Sequence, residues 1–329
     1  MRKYCFAFLA AAAVMVGCSK EDIPSESAGI PMTINVSIGD AATKTTYTPD
    51  GGSLKVEWEA GDQISVVSIG SDNIAKTCDT FTASAGGSSA EFTGTYTGAA
   101  DAKMIRVFYP ALTETGSLNG TNGWVAKTVA GMYDQPFFAV SNENTFSKFS
   151  FTYSNQFADG DASHLKYYDS MSATLTSVDE LETVALAKNT SIIKLIINTS
   201  SIADGSSVKS VHFENLGAVS PFNYSDWHYS NDDFGNATHN NSKYLNINLG
   251  SYLGGYTFTG ITKTSSDNEL VVYLPNMGDI TMKGGDQYSI TVTTYLDGVE
   301  KRYKKTVTLP SNISIHRGSC FTISATVAE

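Results

Sequence analysis

The chain has 329 residues, 41% of them hydrophobic and 17% charged, with a formal net charge of −11. That length accommodates two domains, and the apolar fraction is sufficient for real cores. A surface this acidic, without a Lys/Arg cluster, repels phosphate backbones and argues against nucleic-acid binding.

Arg2 and Lys3 precede an uncharged run from Phe6 to Val16, too short to span a bilayer and suited to the core of a signal peptide. Gly17-Cys18 closes the run. A small residue followed by cysteine at this place resembles the lipobox of bacterial lipoproteins. It implies cleavage before Cys18 and acyl chains, palmitate among them, on that residue. Two or more such chains anchor stably, at about 0.8 kcal/mol per buried methylene. An ordinary cleaved signal peptide with an incidental cysteine is the alternative. Ser19-Lys20-Glu21-Asp22 resembles the surface-export signal of such lipoproteins, and the polar stretch up to Gly29 also suits a solvated tether. The expected location is the outer membrane, facing outward.

Beyond Pro31 the pattern is one of short strands. Met32, Ile34, Val36 and Ile38 alternate with Thr33, Asn35 and Ser37, the period of a half-buried strand. Tyr47 to Val56 predicts a hairpin turning at Pro49-Asp50-Gly51-Gly52. Further strands are expected over 64–69, 80–83, 90–96 and 104–109, divided by Gly, Ser, Asn and Asp. Residues 114–133 read as irregular, aromatics recur over 137–157, and 177–187 has modest helical character. A second series begins with the apolar run 191–198, which reads as a strand buried on both faces. It continues through 208–213, 269–274, 288–296 and 299–309, the last two joined at Asp297-Gly298, and ends with 320–327. The expected fold is all-β: two tandem β-sandwich domains, transthyretin-like or Greek-key, after a lipoprotein signal peptide. The expected divisions are signal peptide 1–17, tether 18–31, first sandwich 32–187 and second sandwich 188–329.

Little in the sequence points to catalysis, and no cofactor is expected. His164, His212, His228, His239 and His316 are scattered, and no Cys/His pair has zinc-ligand spacing. Glu57 and Glu59 flank Trp58 and read as a solvated edge rather than as a glycosidase pair. Asp159-Gly160-Asp161 opens like a calcium loop, but His164 and Ser170 stand where the loop needs glycine and glutamate. Cys78 and Cys320 either pair or remain free thiols. Pro221 to Asn241 mixes aromatic with amide and carboxylate residues. Tyr224, Trp227, Tyr229, Asp232 and Asp233 are candidate contacts for a host glycan or matrix protein, and a long loop covering the second core is the alternative.

One run is more specific. Trp58-Glu59-Ala60-Gly61-Asp62-Gln63-Ile64-Ser65-Val66 resembles the tryptophan–glycine–aspartate signature of the fimbrillin family, the type V pilus proteins of anaerobic gut and oral bacteria. Thr43-Lys44-Thr45 precedes it, and Phe92-Thr93-Gly94 and Val107-Phe108-Tyr109-Pro110 follow in the family's order. Val208-Lys209-Ser210-Val211, Tyr273-Leu274-Pro275, Tyr288-Ser289-Ile290-Thr291-Val292, Lys301-Arg302-Tyr303 and Arg317-Gly318 are similar in the second half.

The resemblance implies an exported lipoprotein that is cut after a basic residue beyond its first strand. A strand of another fimbrial subunit then fills the vacated groove, and the fibre supports adhesion or biofilm formation. Here Met32, Ile34, Val36 and Ile38 would form the displaced strand. Lys44, the one basic residue between Lys20 and Lys55, would mark the cut; an exposed lysine beside a retained strand is the alternative. Because the sequence stops two residues after a strand the second domain needs, a tip or accessory position is expected. A monomeric glycan-binding lipoprotein of the surface is the reading from another class.

Overall fold

The computed structural model describes residues 29–39, 48–50, 53–71, 75–98, 102–118, 121–126, 137–141, 145–150, 155–156, 158–167, 169–218, 221–230, 238–242, 244–249, 252–253, 257–258, 260–266 and 268–329. The strands between 112 and 150 and between 223 and 258, Leu245 apart, are described as backbone. Among these residues the regular structure is β-strand, with two short 3-10 turns.

Seven strands close a barrel: β1 (Ile30–Ile38), β2 (Gln63–Ile69), β3 (Ala75–Ala83), β4 (Ser89–Tyr96), β5 (Met104–Tyr109), β6 (Met171–Leu175) and β7 (Thr183–Lys188). The order around it is β1-β7-β6-β5-β2-β3-β4, returning to β1. Its interior is filled by alternate residues, among them Ile34, Val36, Ile64, Val66, Phe81, Phe92, Ile105, Val107, Val184 and Leu186. The expected first sandwich is therefore corrected to a barrel. Closure leaves no sheet edge unpaired, whereas a sandwich keeps edges on both sheets.

The stretch 177–187, expected to lean towards helix, is instead a 3-10 turn over Val178–Glu182 followed by β7. Ala185, Leu186 and Ala187 favour helix locally, but Val184 and Leu186 fall on the inward face of a strand held between two neighbours, and tertiary pairing outweighs propensity.

The second hydrophobic core lies between two sheets. One carries β8 (Thr190–Asn198), flanked by β11 (Glu269–Met277) and β14 (Cys320–Thr326). The other includes β9 (Ser207–Asn215), β10 (Tyr244–Leu249), β12 (Gln287–Leu296) and β13 (Val299–Thr308), in the order β10-β9-β12-β13. Ile193, Leu195 and Ile197 of β8 meet Val211 and Phe213 of β9 and Ile290 and Val292 of β12. The turn from β12 to β13 has Asp297 at φ 50° and Gly298 at φ 80°, the two positive angles a tight hairpin of matching twist requires.

Strand pairing also crosses the expected division at residue 187. Leu112–Leu118, Thr121–Ala126, Phe137–Ser141 and Thr145–Ser150 form one sheet with Phe222–Ser230 and Thr238–Ser242 from the second half. Residues 114–133, read as irregular, thus contribute strands, and within Pro221 to Asn241, where a long loop was one reading, the described residues after Pro221 lie on the strands Phe222–Ser230 and Thr238–Ser242. Cys78 and Cys320 are free thiols.

A third cluster, with Leu54, Val56, Ala162 and Leu165 against Ile192 and Tyr273, stitches the first half of the chain to β8 and β11. Hydrogen bonds reinforce it. Gln156 donates to the Val271 carbonyl at 2.7 Å and accepts from the Tyr273 N–H at 3.0 Å, so its amide stands in for a neighbouring strand. The Asp159 carboxylate accepts from the Val271 N–H at 2.7 Å. Asp161 accepts from the Ser163 N–H and hydroxyl, each at 2.8 Å. The segment that opens like a calcium loop is therefore an interlocking turn.

His164 is buried in this junction, 3.0 Å from the Tyr273 carbonyl. Burial pushes its imidazole down to about 4, against the upward pull of that carbonyl and of Asp161. The folded chain thus keeps His164 neutral where the unfolded chain takes up a proton. Stability should be full above pH 6.5 and fall as pH drops towards 4, by about 3 kcal/mol in all. Denaturant titrations of the parent and of His164→Gln between pH 7 and 5 check this. A parent whose stability holds level over that interval, or a variant that falls as steeply, contradicts the assignment.

Candidate functional site: the slot of the first strand

β1 is bonded along both edges. It runs antiparallel to β4, with Met32 opposite Gly94, Ile34 opposite Phe92 and Val36 opposite Ala90. On its other side it runs parallel to β7, with Val36 beside Val184 and Ile38 beside Leu186. Ile34 and Val36 are completely buried, and Met32 and Ile38 are half-buried against the same core. All four residues of the expected displaced strand are therefore on β1 and face inward, while Thr33 and Asn35 are exposed. Each fully buried aliphatic chain contributes about 1.5–3 kcal/mol. Removing β1 would uncover the apolar faces of β4 and β7 and unpair the backbone of both.

The signature around Trp58 builds the wall beside this slot. Trp58 is buried, its ring meeting Phe92 edge-on at 5.0 Å and Tyr109 at 5.2 Å. Its backbone exchanges hydrogen bonds with Gly87, at 2.8 and 3.0 Å. Glu59 to Asp62 then reverses the chain: the Asp62 N–H donates to the Glu59 carbonyl, and the Asp62 carboxylate accepts from the Glu59 N–H at 2.7 Å. Gly61 has φ +92°, the left-handed region that glycine enters most readily. The turn delivers Ile64 and Val66 into β2 as core residues. Glu57 and Glu59 flank this anchor, half-buried and exposed respectively.

Gly94 has a separate reason. A Cβ there would lie 2.7 Å from both the Phe81 ring and the Thr80 carbonyl oxygen, too close for any side chain. The space left by the missing side chain is what lets Phe81 cross β4 directly behind Met32.

β1 ends at Gly39, whose N–H donates to the Leu186 carbonyl at 2.8 Å. Gly39 also lines a 740 Å³ cleft between barrel and second core, together with Lys188, Asn189, Asp279, His316 and Arg317. Lys188 is buried and bonded to Asp169 at 2.7 Å. Burial lowers its pKa, while the Asp169 carboxylate opposes that shift. Across the cleft the Arg317 N–H donates to Asp279 at 2.7 Å.

The other sequence candidates divide. Cys18, Lys44, Asp232 and Asp233 lie outside the described residues. Tyr224, Trp227 and Tyr229 fall on the strand Phe222–Ser230, where Trp227 is opposite Phe149 and Tyr229 opposite Ser147. Sequence reading missed β7, the parallel neighbour of β1. The alternation of Val184 and Leu186 was its one signal in the sequence, and it ends at Lys188, which the structure buries.

No protein-family model matches the chain, and no curated protein matches it. Among solved structures it is similar to a candidate cell adhesion protein from Bacteroides eggerthii, with 16% identity, TM-score 0.40 and coverage of 92% of this chain and 88% of the other. A candidate cell adhesion protein from Bacteroides ovatus shows 13% identity and TM-score 0.43, covering 91% and 92%. One from Parabacteroides distasonis shows 14% and 0.37, covering 91% and 88%. At these TM-scores the likenesses carry no argument about function.

The burial of β1 sets a measurable expectation. Ile34→Ala should cost about 2–5 kcal/mol in denaturant unfolding, since it empties a filled position in the barrel. Ile30→Ala, at a side chain 57% exposed on the same strand, should leave stability within about 0.5 kcal/mol. Equal effects at the two positions would show that β1 does not contribute to the core as described.

Proposed function

We propose that this chain is exported to the outer membrane as a precursor held through acylated Cys18 and, once cut, becomes a subunit of a surface fibre. It joins its neighbours when a strand of another subunit takes the place of β1. The observation that carries this reading is the position of β1: it closes the barrel with its apolar face and both of its edges, and every other strand of the barrel follows it in the chain. Cutting the chain after β1 would leave that segment held by non-covalent contacts alone. A replacement strand running antiparallel to β4 and parallel to β7, with aliphatic residues at every second position, would restore both ladders and the core.

The chemistry of the fibre follows from backbone pairing. Exchange conserves hydrogen bonds and buried area, so its driving force is small until the original strand is lost, and proteolysis supplies the irreversibility. Lys44, five residues beyond Gly39 in the sequence, is the candidate cut site. Fibres of this kind serve adhesion or biofilm formation, and partners of the exposed surface include a host glycan or matrix protein.

Surface material run unboiled on denaturing gels should give a ladder, and the mass of its processed form should correspond to a chain beginning at Thr45. Lys44→Ala should abolish both the shortened mass and the ladder. A chain that begins at Cys18 in every band, or a ladder that persists in the variant, would exclude exchange after cleavage at Lys44.

A further inference from the structure

We propose that the outer edge of β14 receives an extended segment of another polypeptide, one that alternates small aliphatic with polar residues and places a carboxylate against Lys305. This goes beyond exchange at β1 and does not require it, because the intact chain already presents the edge.

The three-stranded sheet β11-β8-β14 has two edges, and they are treated differently. Along β11, Gln156, Asp159, Gly160 and His164 bond the main-chain groups of Val271 and Tyr273, so that edge is covered. Among the described residues β14 pairs with β8 alone, and only beyond its end does Ala328 bridge to Lys304 of β13. The facing edge strand β13 is blunted by Lys301, Arg302, Lys304 and Lys305, the usual defence of an exposed edge. β14, Cys-Phe-Thr-Ile-Ser-Ala-Thr, has no charge, proline or bulge in seven residues. An unprotected strand of this length is a template for another one.

Its side chains indicate what the newcomer must carry. Ile193, Leu195 and Ile197 on the neighbouring β8 are completely buried, whereas Phe321, Ile323 and Ala325 of β14 are only half-buried. Val307 and Leu309 across the gap are likewise half-buried against the same core. A 410 Å³ cleft lies at this margin, lined by Lys305, Val307 and Ala325 and, on the outward face of the sheet, by Ser324, Thr326 and Asn198 as far as Glu269. An added strand would send alternate side chains to opposite faces, and small aliphatic ones on the core side would complete the cover over Ile323, Ala325 and Val307. Lys305 is exposed on the same face of β13 as the buried Tyr303 and makes no ion pair among the described residues. Lys301 and Arg302 are already paired with Glu329 and Glu300, so Lys305 is the residue that favours a partner with a carboxylate in that row.

The test uses the intact chain, β1 included, and a fluorescein-labelled, end-blocked peptide of alternating valine and threonine with one central valine replaced by glutamate. Anisotropy should show saturable binding, and hydrogen exchange should slow at the amides of residues 320–326. Lys305→Glu, at an exposed position that leaves the fold intact by circular dichroism, should weaken binding roughly tenfold. A peptide with lysine in place of its glutamate should recover that loss. Absence of binding to the intact chain, protection confined to other strands, or affinity unchanged in Lys305→Glu would each overturn the proposal. So would a concentration-dependent dimer that protects residues 320–326 without peptide, since the occupant would then be a second copy of this chain.

Discussion

Closure of the barrel by β1 is the constraint on which the first half of the molecule depends. A strand in the middle of an open sheet can be lost with its two neighbours meeting behind it. In a small closed barrel the remaining strands are fixed in tilt and stagger, so the gap stays. Ile34 and Val36 then leave an apolar trough between Phe92 on one side and Val184 and Leu186 on the other, with unpaired amides along both banks. Such a trough is unstable in water and selective at once. It accepts a chain of one direction, one register parity and alternating aliphatic residues, because a slip of one residue turns every apolar side chain outward.

The rest of the chain holds that slot in shape. Trp58 and the turn from Glu59 to Asp62 fix the entry of β2, and Gly94 lets Phe81 pass behind β4. The junction of Gln156, Asp159 and His164 with β11 ties the barrel to the second core through main-chain groups, without relying on surface ion pairs. That linkage would suit the role proposed for the chain as a unit of a fibre. The buried pair of Lys188 and Asp169 lies at the same seam, beside the end of β1. Its charges are satisfied by each other, and removing either partner would strand the other in an apolar setting.

Much of this was legible in the sequence. The alternation of Met32, Ile34, Val36 and Ile38 identified β1 and its inward face, and Asp297-Gly298 identified the hairpin joining β12 and β13. Trp58, Gly61 and Asp62 stood out through the signature they resemble, and the geometry makes them a packing and turn unit. What local pattern did not reveal was set by long-range pairing. β7 is built from residues that favour helix and becomes a strand because β1 and β6 flank it. Barrel closure depends on β1 meeting both β4 and β7, a relation between segments far apart in the chain. The strands of 112–126 carry glycine and polar residues and pair as strands within a sheet shared with the second half.

The most direct measurement is complementation in solution. A chain beginning at residue 40 is mixed with a synthetic peptide of the sequence Ile30–Ile38 and followed by native mass spectrometry together with thermal unfolding. Strand replacement predicts a one-to-one complex and a restored transition, both lost when the peptide carries Val36→Asp. A truncated chain that unfolds as the intact one does, ignoring the peptide, would mean that β1 fills no exchangeable slot.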